Sequence, residues 1–405
     1  MVLGFAGMMF AVVVVVHYYL WRRLVRATTL PGRTRRVLTW CLVALAVLVP
    51  ATMIGSRFEV AHFLAWPGFL WLAVMFYLVV FLVVLEIPRA VAAFLIRRSS
   101  PAVADKPVPV TVGAPAPPAV EEPPAVPDLV SRRLFLGRAT ALAAGVGALG
   151  TVGYGVRTAL GDPVIEPVTV VLPKLDPRLG GLRFAVVSDI HLGPLTGIRH
   201  TERIVRMIND LRPDVVAIVG DLVDGTVAEL GPLARPLKDL ESRYGSFFVT
   251  GNHEYFSANG PAEWVEELGQ LGVRSLRNER VEIAHGGAVL DLAGVNDLTG
   301  GDDGSDLGKA LNGRDTSRSS VLLAHQPLQV REAAGFGVDL QLSGHTHGGQ
   351  MVPFNLVVPF QQPAVSGLST IDGVQVYVTR GAGFWGPPVR VGAPPEISIL
   401  ELRAP

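Results

Sequence analysis

Val215-Val216-Ala217-Ile218-Val219-Gly220-Asp221-Leu222-Val223-Asp224 is the stretch on which the reading of the fold turns. Five apolar, mostly β-branched residues run without interruption, the length and composition of a buried strand. Gly220 ends the run and two carboxylates follow at once. The same arrangement recurs along the chain. Leu182–Ser188 leads into Asp189-Ile190-His191, Phe247–Thr250 into Gly251-Asn252-His253-Glu254, Ser320–Ala324 into His325, and Leu340–Leu342 towards Gly344-His345-Thr346-His347. Between them, Arg199–Leu211 and Ala262–Leu271 carry apolar residues at helical spacing. Further strands are expected at Ala288–Val295, Val374–Thr379 and Ile397–Leu402. The fold class is therefore α/β.

In α/β sheets the loops beyond the carboxyl ends of the strands form the ligand crevice, and strand ends are rigid enough to hold a constellation. Five such loops here deliver Asp, Asn and His, including five of the nine histidines in the chain. Taken singly, Asp189, Asp221 and Asn252 read as turn residues. Taken together, these side chains are the inventory that holds two divalent metals side by side, and two metals can clamp both ends of an in-line displacement at phosphorus.

Five pieces in this order, each after a strand, resemble the calcineurin-like metallophosphoesterase superfamily over about residues 180–405. Gly344-His345-Thr346-His347-Gly348-Gly349-Gln350 and the tail Gly381-Ala382-Gly383-Phe384-Trp385-Gly386-Pro387-Pro388-Val389-Arg390 resemble its bacterial membrane-associated branch, the YkuE- and YaeI-like phosphoesterases. The resemblance implies a metallophosphoesterase β-sandwich flanked by helices. It also implies that Asp189, His191 and His347 bind a first metal, that Asn252, His325 and His345 bind a second, and that Asp221 bridges the two. The matching His253 would face the phosphoryl group and protonate the leaving oxygen, with Asp224 orienting it. No role follows for Glu254. A hydroxide between the metals would be the nucleophile, acting on a phosphomonoester or phosphodiester. An oxygen and nitrogen ligand set suits Mn, Fe, Zn or Co.

Other residues carry weaker expectations. Asn296-Asp297 would line the crevice without joining the metal set. Arg390 and Trp385 are candidate substrate contacts, with packing the equal alternative for Trp385. His200 and His285 read as surface or turn histidines, and His17 and His62 as interfacial ones. The competing function is a non-catalytic, membrane-anchored interaction module with the same fold, since fold does not establish activity. The complete set of seven ligand positions with His253 speaks against it.

The amino-terminal part has a different character. Residues 2–20, 37–55 and 63–85 are apolar runs, each long enough to cross a hydrocarbon core of about 30 Å as a helix of about 20 residues. Ala139–Val156 is a fourth, weaker candidate. Arg22, Arg23, Arg26, Arg33, Arg35 and Arg36 lie between the first two runs, and Arg89, Arg97, Arg98, Arg132, Arg133 and Arg138 between the third and fourth. By the positive-inside rule both Arg-rich loops face the cytoplasm, and the N-terminus and everything after the fourth run face outwards. The expected plan is a three-helix transmembrane region over 1–98, a Pro/Ala-rich linker over 99–130, a signal or anchor helix over 131–160 and the catalytic domain over 165–405. Ser131-Arg132-Arg133-Leu134-Phe135-Leu136 resembles the bacterial twin-arginine export signal, which implies the export machinery as a partner. No clean Ala-x-Ala site follows, so an uncleaved anchor is expected.

Composition agrees with this division. The chain of 405 residues is 49% apolar with mean hydropathy +0.40, and the excess lies in residues 1–160. Formal net charge is zero, so no nucleic-acid-binding surface is indicated. Cys41 is the single cysteine, which excludes an intrachain disulfide and a thiolate metal site. Apart from Glu86, the apolar runs lack the ionisable residues that mark transport paths.

Overall fold

The structure, a computed structural model, describes residues 2–55, 59–99 and 128–405. The chain divides into two compact units. One comprises residues 1–53 and 71–151, the other residues 54–70 and 152–405.

The apolar runs become four helices: α1 (Val2–Leu20, continued by a π-helical turn Trp21–Arg26), α2 (Arg33–Gly55), α3 (Ala65–Ser99) and α4 (Asp128–Leu160). Each contains, or forms with the adjoining turn, a stretch long and apolar enough to cross a membrane: Gly7–Arg26, Arg33–Gly55, Ala61–Pro88 and Leu134–Leu160. Helix α4 begins before the expected apolar stretch and carries Ser131–Leu136 within it. Most of the expected 99–130 linker, residues 100–127, lies outside the described residues.

Two ionisable side chains inside the first unit, His17 and Glu86, are paired, as a low-dielectric environment favours. His17 is buried among the helices. Its Nδ1 is 2.8 Å from the Val13 carbonyl, and its Nε2 accepts from the Trp71 indole N–H at 3.2 Å. Glu86 forms an ion pair with Arg23 at 2.7 Å and accepts from the Tyr19 hydroxyl at 3.4 Å. His62 sits in a short 3-10 turn, Glu59–Leu64, between α2 and α3.

The second unit holds two six-stranded sheets. The first has the order β1 (Val164–Val171), β12 (Glu396–Arg403), β2 (Arg183–Val187), β3 (Val215–Val219), β4 (Ser246–Val249) and β5 (Val273–Ser275). The second runs β10 (Gly367–Ile371), β11 (Val374–Val378), β9 (Leu340–Ser343), β8 (Ser320–Leu323), β7 (Ala288–Gly294) and β6 (Glu279–His285). β2 through β5 are parallel, as are β7, β8, β9 and β11. The parallel strands therefore present their carboxyl ends along one edge of each sheet.

The two-residue period of the strands sorts side chains into layers. Phe184 and Val186 of β2, Val215, Ala217 and Val219 of β3, and Phe247 and Val249 of β4 face the core between the sheets, where they meet Leu290, Leu292, Val321, Leu323, Leu340 and Leu342. Their alternates Ala185, Val187, Val216, Ile218 and Phe248 face the opposite way. There they pack under α5 (Ile198–Asp210), α6 (Val227–Ala234) and α8 (Ala262–Gln270), with Ile204, Val205, Leu230 and Trp264 buried against them. The short helix α7 (Asn252–Phe256) follows β4. On the outer face of the second sheet, α9 (Leu307–Leu311) and α10 (Val330–Gly335) cover Leu322, Val376 and Val378. The result is the expected sandwich of two mixed sheets between helical layers.

β1, β5, β6 and β10 carry too little apolar alternation to be read in advance. His200 is buried on α5, contrary to the surface or turn placement expected of it, because one flank of that helix packs on the first sheet. His285 is half-buried at the end of β6 and hydrogen-bonds the Tyr244 hydroxyl at 2.7 Å.

Candidate metal centre

The site is built by backbone geometry before any side chain enters. Asp189, His191, Asp221, His345 and His347 all have positive φ, between 48° and 71°. Non-glycine residues rarely adopt this left-handed conformation, and it persists only where the surroundings over-determine it. Here the turns are tied to one another. Asp189 N–H donates to the Gly220 carbonyl (3.0 Å), His191 N–H to the Asp221 carbonyl (3.2 Å), and Gly383 N–H to the Asp189 carbonyl (2.9 Å). Two glycines permit the close approach. A Cβ on Gly251 would collide with the Asp221 carboxylate, and one on Gly344 with Ser188 and Asp189.

Around this frame the expected side chains converge. His347 Nε2 lies 3.3 Å from Asp189 Oδ1 and 3.1 Å from His191 Nε2. Asp221 Oδ2 lies 3.2 Å from His325 Nε2 and 3.8 Å from His191 Nε2. His345 Nδ1 lies 2.9 Å from Asn252 Oδ1 and 3.3 Å from His325 Nε2. Two groupings with metal-ligand spacing result, Asp189/His191/His347 and Asp221/His325/His345, and Asp221 also groups with His191 and His253. Asp221 thus belongs to the second grouping and reaches the first through His191.

The donor and acceptor pattern fits cations. His325 Nδ1 lies 2.8 Å from the Val219 carbonyl and His191 Nδ1 lies 2.9 Å from Asp224 Oδ1, so both rings hold their proton there. Their Nε2 lone pairs then face the Asp221 carboxylate. Lone pairs converging on carboxylate oxygens in a buried site call for positive charge between them. A proton at His325 Nε2 meets the same demand for positive charge. Against burial, which lowers it, Asp221 raises His325 well above the usual histidine range. Against burial, which raises it, His325 and His253 hold Asp221 well below the carboxylate range. No thiolate is present, so the set is oxygen and nitrogen only.

His253 stands at the mouth. Its Nδ1 is 2.7 Å from Asp224 Oδ1, and its Nε2 points inward, 4.0 Å from Asp221 Oδ2. Burial lowers its pKa, but Asp221 and Asp224 outweigh that and lift it to about 9. Asp224 therefore serves two rings through one oxygen, His191 as well as His253. That second partner was not legible, because nothing in the spacing links Asp224 to residue 191. Burial raises Asp224, while His191 and His253 together hold it below the usual range.

Glu254, for which no role follows from the motif, is fully buried and takes four backbone N–H groups. Oε2 accepts from Gly251 (2.6 Å) and Asp221 (3.1 Å), and Oε1 from Leu222 (2.8 Å) and Val223 (3.3 Å). It fixes the turn that carries Asp221 to the turn that carries Asn252. Its place three residues after Gly251 is the spacing of a helix capping box, and that was the available signal. Burial and then the Asp221 charge push it up to about 7.

Arg390, a candidate substrate contact from the sequence, is instead engaged by the backbone around the centre. It is fully buried and donates to the carbonyls of His347, Arg380, Gly381, Gly383 and Ala393, while Nη2 lies 3.2 Å from His347 Nδ1. Trp385 is half exposed, its ring centroid 6.0 Å from that of His253. Asn296 and Asp297 are both buried beyond β7. Asp297 accepts from the Gln326 amide at 3.0 and 3.1 Å, which straps that loop to the one bearing His325.

Residues 182–349 match the calcineurin-like phosphoesterase family. The transmembrane protein with metallophosphoesterase domain of Danio rerio is 39% identical over 261 residues, covering 62% of this chain and 60% of that one. The chain thus spans about three fifths of that relative's length. A metallophosphoesterase of Helicobacter pylori is 38% identical over 279 residues, covering 68% of this chain and 73% of its own. The metallophosphoesterase YkuE of Bacillus subtilis is 29% identical over 286 residues, covering 68% and 98%. The chain belongs to the calcineurin-like metallophosphoesterase family.

Proposed function

We propose that the chain is a membrane-anchored phosphoesterase that hydrolyses a phosphomonoester or phosphodiester at a centre of two divalent cations. The observation that carries this reading is the convergence of Asp189, His191, Asp221, Asn252, His325, His345 and His347 around one buried site, with one Asp221 oxygen facing both His191 and His325. When bound there, two divalent cations supply Lewis acidity and a nucleophilic hydroxide near neutral pH. Asp189, His191 and His347 would hold one, Asn252, His325 and His345 the other, and Asp221 both. Asp224 keeps the His191 and His253 rings in one tautomer and orientation. His253, held protonated by Asp221 and Asp224, presents Nε2–H to the phosphoryl oxygen and then gives that proton to the leaving oxygen. Glu254 and Arg390 keep the turns in place.

Four candidate spans and the charge pattern of their connections support an integral membrane protein with its catalytic domain outside the cytoplasm. Ser131–Leu136 supports delivery by twin-arginine export with the anchor retained, and the anchor favours a lipid-linked or cell-envelope substrate. The test uses purified full-length protein stripped of metal and reloaded with Mn²⁺. Hydrolysis of p-nitrophenyl phosphate and bis-p-nitrophenyl phosphate is compared with that of His253→Ala. Metal-dependent turnover lost in the variant at unchanged metal content supports the reading, and bound metal with no turnover on any ester refutes it. For the route, Arg132→Lys/Arg133→Lys should abolish appearance of the domain outside the cell. Normal exposure of that variant rules out twin-arginine export.

A further inference from the structure

Within the unit that carries the metal centre, one run of large apolar side chains faces outwards. Across Val352-Pro353-Phe354-Asn355-Leu356-Val357-Val358-Pro359-Phe360, which has no charged residue, five side chains are exposed: Val352, Phe354, Leu356, Val357 and Phe360, the last by 88%. Two 3-10 turns, Phe354–Leu356 and Val358–Phe360, fold the run into a knuckle. Soluble monomers rarely expose apolar patches larger than roughly a few hundred Å², and larger ones mark protein or membrane interaction sites.

The surroundings say what covers it. The same unit takes in residues 54–70, where the spans Arg33–Gly55 and Ala61–Pro88 meet, and residues 152–160, where the span Leu134–Leu160 ends. Arg390 N–H donates to the Gly155 carbonyl of α4 at 3.0 Å, and a Cβ on Gly386 would lie 3.5 Å from the Phe69 ring of α3. From that tail the knuckle is one contact away. Val352 N–H donates to the Val391 carbonyl (3.0 Å), and Gln350 and Trp385 exchange two hydrogen bonds of 2.9 and 3.0 Å. Exposed aromatic rings cluster in the same segments: Phe63, Trp66, Tyr154 and Trp385. Such rings, and Trp and Tyr above all, prefer the headgroup level of a bilayer. The apolar rim continues to the reaction site, because the exposed rings of Phe256 and Trp385 stand 5.5 and 6.0 Å from that of His253.

We propose that Val352–Phe360, with Trp385, is a bilayer-docking rim that seats in the membrane surface beside the metal centre, so that the ester taken is the phosphate of an amphiphile whose hydrocarbon stays in the bilayer. This rests on the phosphoesterase reading and names its substrate class. The test uses the full chain in lipid nanodiscs of phosphatidylcholine and phosphatidylglycerol. Cys41→Ser removes the native thiol, and a single Phe360→Cys carries an environment-sensitive fluorophore. Its emission should shift to the blue, be quenched by doxyl-labelled lipid and resist iodide. The same probe at Asp372→Cys, exposed in the β10–β11 turn at the far end of the strands, should show the reverse. Iodide quenching at position 360 equal to that at 372 overturns the proposal. Protection from both quenchers with energy transfer between labelled copies overturns it in favour of self-association. A second arm uses Phe360→Asp. Its kcat/KM for phosphatidic acid in the nanodisc should fall by tenfold or more, roughly the worth of one buried phenyl ring, with p-nitrophenyl phosphate unaffected. Equal loss on both esters refutes the rim's role in substrate access. Absence of p-nitrophenyl phosphate turnover in the parent chain would instead strike the phosphoesterase reading, while the quenching result stands by itself.

Discussion

Replacing Glu254 by Gln changes one atom in a residue that touches no substrate, yet it should loosen the centre. The carboxylate is fully buried and each oxygen accepts two backbone N–H groups. Glutamine keeps one oxygen and turns an NH₂ towards the other pair. Two buried N–H groups lose their acceptor at about 1–3 kcal/mol each, for a total near 4 kcal/mol. For a domain of this size, with about 2–4 °C lost per kcal/mol, the melting temperature should fall by roughly 10 °C. The comparison belongs at pH 8, because Glu254 is pushed up to about 7 and wild-type protein is then ionised. Below pH 7 the wild-type carboxyl takes a proton, gives up one acceptor itself, and the difference should narrow. Bound metal should fall in the same preparation, since Asp221 and Asn252 lie on the two turns that Glu254 ties. A melting temperature within about 2 °C of wild type, with full metal content at pH 8, would refute the clamp.

Asp224→Asn should lower metal affinity and turnover together by about 10- to 100-fold, since one amide cannot fix both imidazoles; equilibrium dialysis and kcat measure the two, and a loss confined to kcat would limit Asp224 to His253. Arg390→Met should cost about 3–5 kcal/mol by stranding the carbonyls around His347, read by denaturant unfolding, and Arg390→Lys should not rescue it because a single ammonium cannot span them. His200 is held down to about 4 by burial and then by Arg203. Its contribution is present above pH 6.5 and drains away as pH falls towards 4, by about 3 kcal/mol at most, so His200→Gln should flatten that acid limb of the unfolding curve.

How much of this was legible follows from what local sequence encodes. β2, β3 and β4 announced themselves because strands buried on both faces must be apolar throughout, and the loops beyond them because metal ligands are chemically unlike their neighbours. β6 was hidden because Arg280 and Glu282 alternate on a face that is only partly covered. The candidate ligand positions stand out in the sequence, but not what holds them: Arg390 reaches His347 across 43 residues and Asp224 reaches His191 across 33. Arg390 looked like a substrate contact because a charged residue in a glycine-rich tail reads as exposed. Its burial follows from five carbonyls that only the folded turns bring together.

The position of β12 sets an order on events. Glu396–Arg403 is an interior strand: it pairs parallel with β1 on one side and antiparallel with β2 on the other. Until residue 403 has left the ribosome, β1 has no partner and β2 has an open edge, so the first sheet closes last although its other strands are made first. The turn bearing Asp189 and His191 grows from β2, and Glu396 N–H ties back to Gly381, whose neighbour Gly383 holds the Asp189 carbonyl. The geometry of the candidate metal centre is thereby tied to the synthesis of β12, and a product terminated before that strand would carry all seven candidate ligand residues without the strand that backs the Asp189 turn.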